Sequence, residues 1–162
     1  MYKATREFIK ARQPFAKFGV VHIPSVKKVG GGELNKCFEN ALAAIDRVRG
    51  ITIVSGWIVE AYDSKNEHTA LMQHWWNADK SGNHFDTSPG IGNQCEYVID
   101  MDLSIYTKEN FDSIKSNVSL NLLYKNGAYS TVDLSTDDLV ITPIDALKTE
   151  YFYPPVNDCN SA

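Results

Sequence analysis

Three side chains of this sequence are suited to nucleophilic chemistry when taken together: Cys37, His74 and Asp86. A thiol attacks as thiolate, and a helix N-terminus favours that form because the backbone dipole and its free N–H groups attract negative charge. The same N–H groups can hold a developing oxyanion. Lys36 acts in the same direction if its ammonium faces the sulfur. An imidazole beside a thiol takes its proton and returns it to a leaving amine. A carboxylate behind the imidazole fixes its tautomer and orientation. Each residue alone also has a plainer role. Cysteine is a common small core residue, a histidine flanked by Gln73, Trp75 and Trp76 can be satisfied inside a polar core, and Asp86-Thr87-Ser88-Pro89 is a frequent way to close a strand.

The elements that must position these groups follow from periodicity. Residues 1–17 begin with a short helix ended before Pro14. Phe18 to Ile23, stopped by Pro24, is an edge strand at best. Lys27 to Gly32 is a basic, glycine-rich loop. From Cys37 to Arg49 the apolar set Phe38, Ala41, Leu42, Ile45 and Val48 recurs at helical spacing, and Gly50 ends the helix, which places Cys37 in its first turn. Ile51 to Ala61 is a buried strand, Tyr62 to Glu67 a polar loop, and Ala70 to Asn77 a second strand. Asp79 to Asn83 is a turn, and His84 to Thr87 returns, making 74 and 86 cross-strand neighbours. Glu96 to Leu103 is expected to be a strand, and Thr107 the N-cap of a helix reaching Ser116. Val118–Tyr124 and Ala128–Leu134 flank Asn126-Gly127, a strong hairpin signal. Asp137 to Lys148 is interrupted by Pro143 and has no assigned element. Together these give an α+β domain over 1–153 with a mainly antiparallel sheet, and a loose tail over 154–162.

Four pieces now stand in order: Cys37-Phe38-Glu39-Asn40-Ala41, Val54-Ser55-Gly56-Trp57, His74-Trp75-Trp76 and Asp86-Thr87-Ser88-Pro89. This series resembles the transglutaminase-like branch of the papain-like cysteine enzymes, and is similar to small bacterial and phage proteins of the same logic. The resemblance spans about residues 30–90. It implies a Cys-bearing helix packed on an antiparallel sheet, with Cys37, His74 and Asp86 as nucleophile, base and orienting acid. The activity implied is that of a hydrolase or acyltransferase acting on an amide, isopeptide or thioester, with no cofactor and no metal. Asn35, Lys36 and Asn40 are candidates for substrate or oxyanion binding. Asn40 lies one turn from Cys37 and is also placed to bond a neighbouring loop. Trp57 and Trp76 are candidates for the walls of a cleft, although large aromatics are usually core. The alternative is a catalytically inactive papain-like binding or structural module whose tyrosine-rich residues 95–153 face a protein partner.

Composition sets the outer bounds. Hydrophobic residues make up 43% and charged residues 22%, ordinary for a globular domain. Sixteen basic against twenty acidic residues leave a net charge of −4, which argues against a general nucleic-acid binder. Three cysteines, Cys37, Cys95 and Cys159, cannot all pair, which fits free thiols in a reducing compartment. There is no signal-like apolar run at the N-terminus and no membrane-length apolar stretch, so a cytoplasmic protein is expected, in the host cytoplasm if viral. His68, His74, His84, Asp86 and Cys95 fall in one stretch but lack the compact spacing of a zinc site.

Overall fold

A computed structural model describes residues 1–61, 68–114, 120–133 and 138–153. The expectations for the loop at 62–67 and the tail at 154–162 lie outside the described residues. The chain is α+β, with three α-helices and a nine-stranded, mainly antiparallel sheet among the described residues. The helices are α1 (Lys3–Arg12), α2 (Cys37–Arg47) and α3 (Met101–Glu109). The strands are β1 (Val20–Ile23), β2 (Val26–Lys28), β3 (Thr52–Ala61), β4 (His68–Ala78), β5 (His84–Asp86), β6 (Cys95–Asp100), β7 (Asn121–Lys125), β8 (Ala128–Asp133) and β9 (Val140–Ile144). The main order is β1-β6-β3-β4-β7-β8-β9, and β5 pairs both with β4 and with β2.

β3 and β4 form the centre, paired antiparallel along ten residues. Their odd-numbered side chains, among them Ile53, Trp57, Leu71 and Trp75, are buried against the helices, with Phe8 of α1, Phe38 of α2 and Leu103 of α3 in the same clusters. Their even-numbered side chains Val54, Ile58 and Trp76 form a second cluster with Tyr97 and Ile99 of β6. The strict alternation of two buried sets makes register unforgiving, since a one-residue slip would exchange the clusters. Phe38, 2% exposed, meets Trp75 edge-on with ring centroids 5.8 Å apart, an arrangement favoured by the ring quadrupoles. Burying a side chain of that size stabilises by about 1.5–3 kcal/mol.

Several expectations are corrected. The loop expected from Lys27 begins inside β2, which exists only because Val26–Lys28 pairs in parallel with His84–Asp86, a partner distant in sequence. The helix expected from Thr107 begins earlier. Asp100 ends β6 and caps α3 by accepting from the Leu103 N–H, and Thr107 lies within the helix, where its Oγ1 accepts from Trp75 Nε1 at 3.0 Å. Val48, expected on the apolar face of α2, is its extended C-cap and is exposed. The Asn126-Gly127 hairpin forms as expected between Lys125 and Ala128, with both turn residues at positive φ, as a type I′ turn demands. Pro143 sits in β9, the outermost strand of the main sheet order, where a missing N–H is tolerated.

Two features hold the layers together. Gly56 of β3 faces His74 on one side and Ile99 on the other. A Cβ there would lie 2.0 Å from the Val98 carbonyl oxygen, so only glycine lets β6 come this close. On the helical side, Arg12 is fully buried, and its Nε donates to Asp100 Oδ2 at 2.9 Å. Its Nη1 donates to the Leu147 carbonyl, and Phe152 stacks under the guanidinium at 5.1 Å. Trp57 Nε1 donates to the same Asp100 oxygen.

Removing either feature has a predicted cost. Arg12→Ala leaves Asp100 buried without its cation and is expected to lower unfolding free energy by about 3–5 kcal/mol in urea titration. Gly56→Ala is expected to cost about 2–3 kcal/mol in the same titration, since the neighbouring obstacle is backbone and cannot rotate away.

Candidate active site

β4 carries His74 on its even-numbered face, where its ring lies over Trp76 with centroids 6.2 Å apart and planes within 18°. Tyr97 of β6 meets the same imidazole edge-on at 6.1 Å. These contacts leave His74 4% exposed and fix its plane. Asp86 ends β5. The register pairs Asn77 with Phe85 and Ala78 with His84, so Asp86 is a diagonal rather than a directly opposite neighbour of His74. The hairpin is centred one residue later than the spacing suggests, and the diagonal is still short enough for contact. His74 Nε2 and Asp86 Oδ2 are 2.7 Å apart.

The Asp86 carboxylate is 1% exposed and fully engaged. Oδ2 also accepts from the Tyr97 hydroxyl at 2.7 Å, and Oδ1 accepts from the Ser88 N–H at 2.8 Å. Burial alone would raise its pKa. The hydrogen bond and charge of His74, with the Tyr97 and Ser88 donors, outweigh that and hold the carboxyl below its usual range. The Tyr97 phenol is pushed up, by burial first and then by the adjacent Asp86 charge, so it remains a donor.

Cys37 is the first residue of α2. Helix and strand meet along their length: Cys37 and His74 line the same cleft and the Cys37 side chain helps raise the His74 pKa, Phe38 packs on Trp75, and Asn77 Nδ2 donates to the Ala41 carbonyl at 2.9 Å. β4 offers room for this contact. On the side away from β3 it pairs β7 over His68–Met72 and β5 at Asn77–Ala78, and among the described residues no strand pairs the stretch between. With Nε2 given to Asp86, Nδ1 is the nitrogen that remains for a thiol.

The segment leading to Cys37 is tied to the Asp86 strand. Val29 N–H and Gly30 N–H donate to the Asp86 carbonyl, and Gly32 N–H donates to the Thr87 carbonyl at 2.9 Å. Gly30 and Gly31 have φ of 71° and 92°, accessible to glycine at little cost. Asn40 then clamps the same segment to α2: its Oδ1 accepts from Glu33 N–H at 2.9 Å and its Nδ2 donates to the Glu33 carbonyl at 2.8 Å. A Cβ on Gly32 would collide with the Asn40 amide at 2.5 Å. Asn40 is thus a structural clamp on this segment.

The remaining candidates divide. Asn35, with φ of 59°, lines a cleft of about 1210 Å³ that also reaches Cys37 and His74. Lys36 turns to solvent, where its Nζ pairs with Glu33 Oε2 at 2.7 Å, so its ammonium is engaged away from the thiol. Trp57 and Trp76 do not wall the cleft. Both are fully buried, Trp57 on the helical side bonded to Asp100, and Trp76 behind His74 with its Nε1 donating to His84 Nδ1 at 2.9 Å. Tyr97, which holds Asp86, escapes sequence reasoning because only the β3–β6 register brings it there. Among the described residues, no three His, Cys, Asp or Glu side chains gather to hold a metal ion, and no helix is long and apolar enough to cross a membrane.

Burial opposes charge on His74, but hydrogen bonds and charges from Asp86 and Cys37 prevail and raise its pKa from 6.5 to about 9. Protonation of His74 therefore stabilises the fold fully below about 6.5, and that contribution is lost as pH rises through about 9. In NMR titration the His74 ring is expected to show its midpoint near 9, and Asp86→Asn to lower it by more than about one unit, since burial then dominates. No protein-family model, curated protein or solved structure matches the chain, and the local geometry itself carries the functional argument.

Proposed function

We propose that this protein is a cysteine-dependent hydrolase or acyltransferase acting on an amide, isopeptide or thioester. The observation that carries this reading is one imidazole held by a buried carboxylate at 2.7 Å in the cleft that a thiol at a helix start also lines. Cys37 sulfur attacks the substrate carbonyl while its proton rests on His74. The oxyanion that forms is stabilised by N–H groups at the start of α2 and by the Asn35 amide, which lines the same cleft. Collapse of the tetrahedral species breaks the bond to the leaving amine or thiol, which takes the proton from His74. Water or an amine then resolves the acyl-enzyme, with His74 as base. Asp86 keeps the ring oriented and carries the counter-charge throughout.

A papain-like or transglutaminase-like fold is supported by the order of the parts. A helix opening on Cys37 packs on an antiparallel sheet whose strands β4 and β5 present His74 and Asp86. The apolar lining of the cleft, including Leu34, Met72 and Ile91, suits a peptide or another amide with apolar groups near the reacting carbonyl.

Alkylation by iodoacetamide at pH 7, read by peptide mass, tests the chemistry. Cys95 is the internal control, because burial, with the nearby Glu60 charge, raises its thiol pKa. Cys37 is expected to react at least ~10-fold faster than Cys95, and His74→Ala to remove that advantage. Equal rates that ignore His74→Ala would overturn catalysis and leave a binding module.

A further inference from the structure

We propose that Ser88 is a further substrate-binding residue, whose hydroxyl hydrogen-bonds an amide carried next to the reacting carbonyl. The inference rests on the cysteine chemistry proposed above and adds a recognition element to it. Ser88 is 8% exposed and lines the cleft that holds Cys37 and His74. Its backbone is committed, since its N–H donates to Asp86 Oδ1 at 2.8 Å. Its Oγ has no hydrogen-bond partner among the described residues. A buried hydroxyl left unpaired costs on the order of 1–3 kcal/mol. Retaining one at the wall of a reactive cleft is intelligible if a ligand supplies the missing partner.

The surroundings narrow the chemistry of that partner. Asp86 holds the Ser88 backbone from one side, so the hydroxyl sits on a fixed turn and is pre-organised rather than recruited. The nearest cleft residues in sequence, Pro89, Gly90 and Ile91, bring no side-chain hydrogen-bonding group, and Leu34 on the same wall brings none either. A single neutral hydroxyl among apolar groups suits a neutral amide flanked by an apolar side chain. An acyl group of the N-acyl amino acid type has this pattern: the amide lies beside the carbonyl that Cys37 attacks, with the side chain among Leu34 and Ile91.

The test uses the full chain and two benzyl thioesters that differ only in the amide: N-acetyl-leucyl and isocaproyl. Acylation of Cys37 is followed by mass, and each rate is divided by the rate of the same thioester with free cysteine. The unmodified protein is expected to prefer the N-acetyl-leucyl probe by ~10-fold, one well-placed hydrogen bond's worth. Ser88→Ala is expected to abolish the preference and raise the urea midpoint, since the unpaired hydroxyl is gone, while leaving iodoacetamide labelling of Cys37 and the His74 midpoint unchanged. The proposal is overturned if Ser88→Ala keeps the preference or if the unmodified protein has none. It is also overturned if iodoacetamide labelling falls as much as acylation, because Ser88 would then act through the Asp86 turn. A Cys37 whose alkylation ignores His74→Ala overturns instead the cysteine chemistry on which the proposal stands.

Discussion

A carboxylate removed from water keeps its charge only if donors replace its hydration, and Asp86 meets that condition from three directions at once. Its donors come from separate elements: His74 from β4, Tyr97 from β6 and the Ser88 backbone from its own turn. Each of the three is thereby placed relative to the other two. The register of β3 with both neighbours decides whether Tyr97 and His74 arrive on the same face, and Gly56, lacking a side chain, allows the strands to approach closely enough. A change in this carboxylate is therefore felt first as a change in imidazole position and charge, and only then as a loss of stability.

The opposite side of the sheet is built on a second buried carboxylate with a different solution. Asp100 is held by a permanent cation, Arg12, and by an indole, where Asp86 is held by a titratable ring and a phenol. β6 contributes to both, since Tyr97 and Asp100 project to opposite faces of one strand. The Arg12 pair joins α1, the start of α3 and the segment around Leu147, and nothing about it needs to change during a reaction. The Asp86 site contains a group whose charge varies with pH, the His74 imidazole. Separating the fixed pair from the titratable one lets the frame keep its shape while the charge on His74 varies.

Much of this was legible from local pattern. The helix opening on Cys37, the two long central strands and the Asn126-Gly127 hairpin each rest on short-range signals of period or turn chemistry. The proximity of positions 74 and 86 was legible too, although the turn is displaced by one residue and the contact is diagonal. What escaped depends on distant partners. β2 is three residues long and is a strand only through β5. Asp100 looks like a strand residue before Met101-Asp102-Leu103, and its capping role emerges when β6 ends against α1. Lys36, adjacent to the thiol in sequence, is drawn off by Glu33, a pairing that is local but competes with an equally local alternative. Trp57 and Trp76 show why residue type alone misleads near a site: both flank functional elements, and burial assigns both to support.

The same division explains how the thiol is positioned. Cys37 has no strand ladder to fix it, and its location depends on the chain before it. That chain is bonded to the Asp86–Thr87 backbone on one side and to Asn40 of its own helix on the other. The glycines at 30 to 32 permit both attachments, two by adopting positive φ and one by leaving room for the Asn40 amide. Cys37 and Asp86 are thus linked twice, once by the imidazole that both act on and once through backbone that titrates nowhere. A mutation at Asn40 would leave the His74–Asp86 pair intact and still loosen the sulfur, because it cuts only the second link. Geometry around a reactive thiol can in this way fail while every group that carries the chemistry is still present.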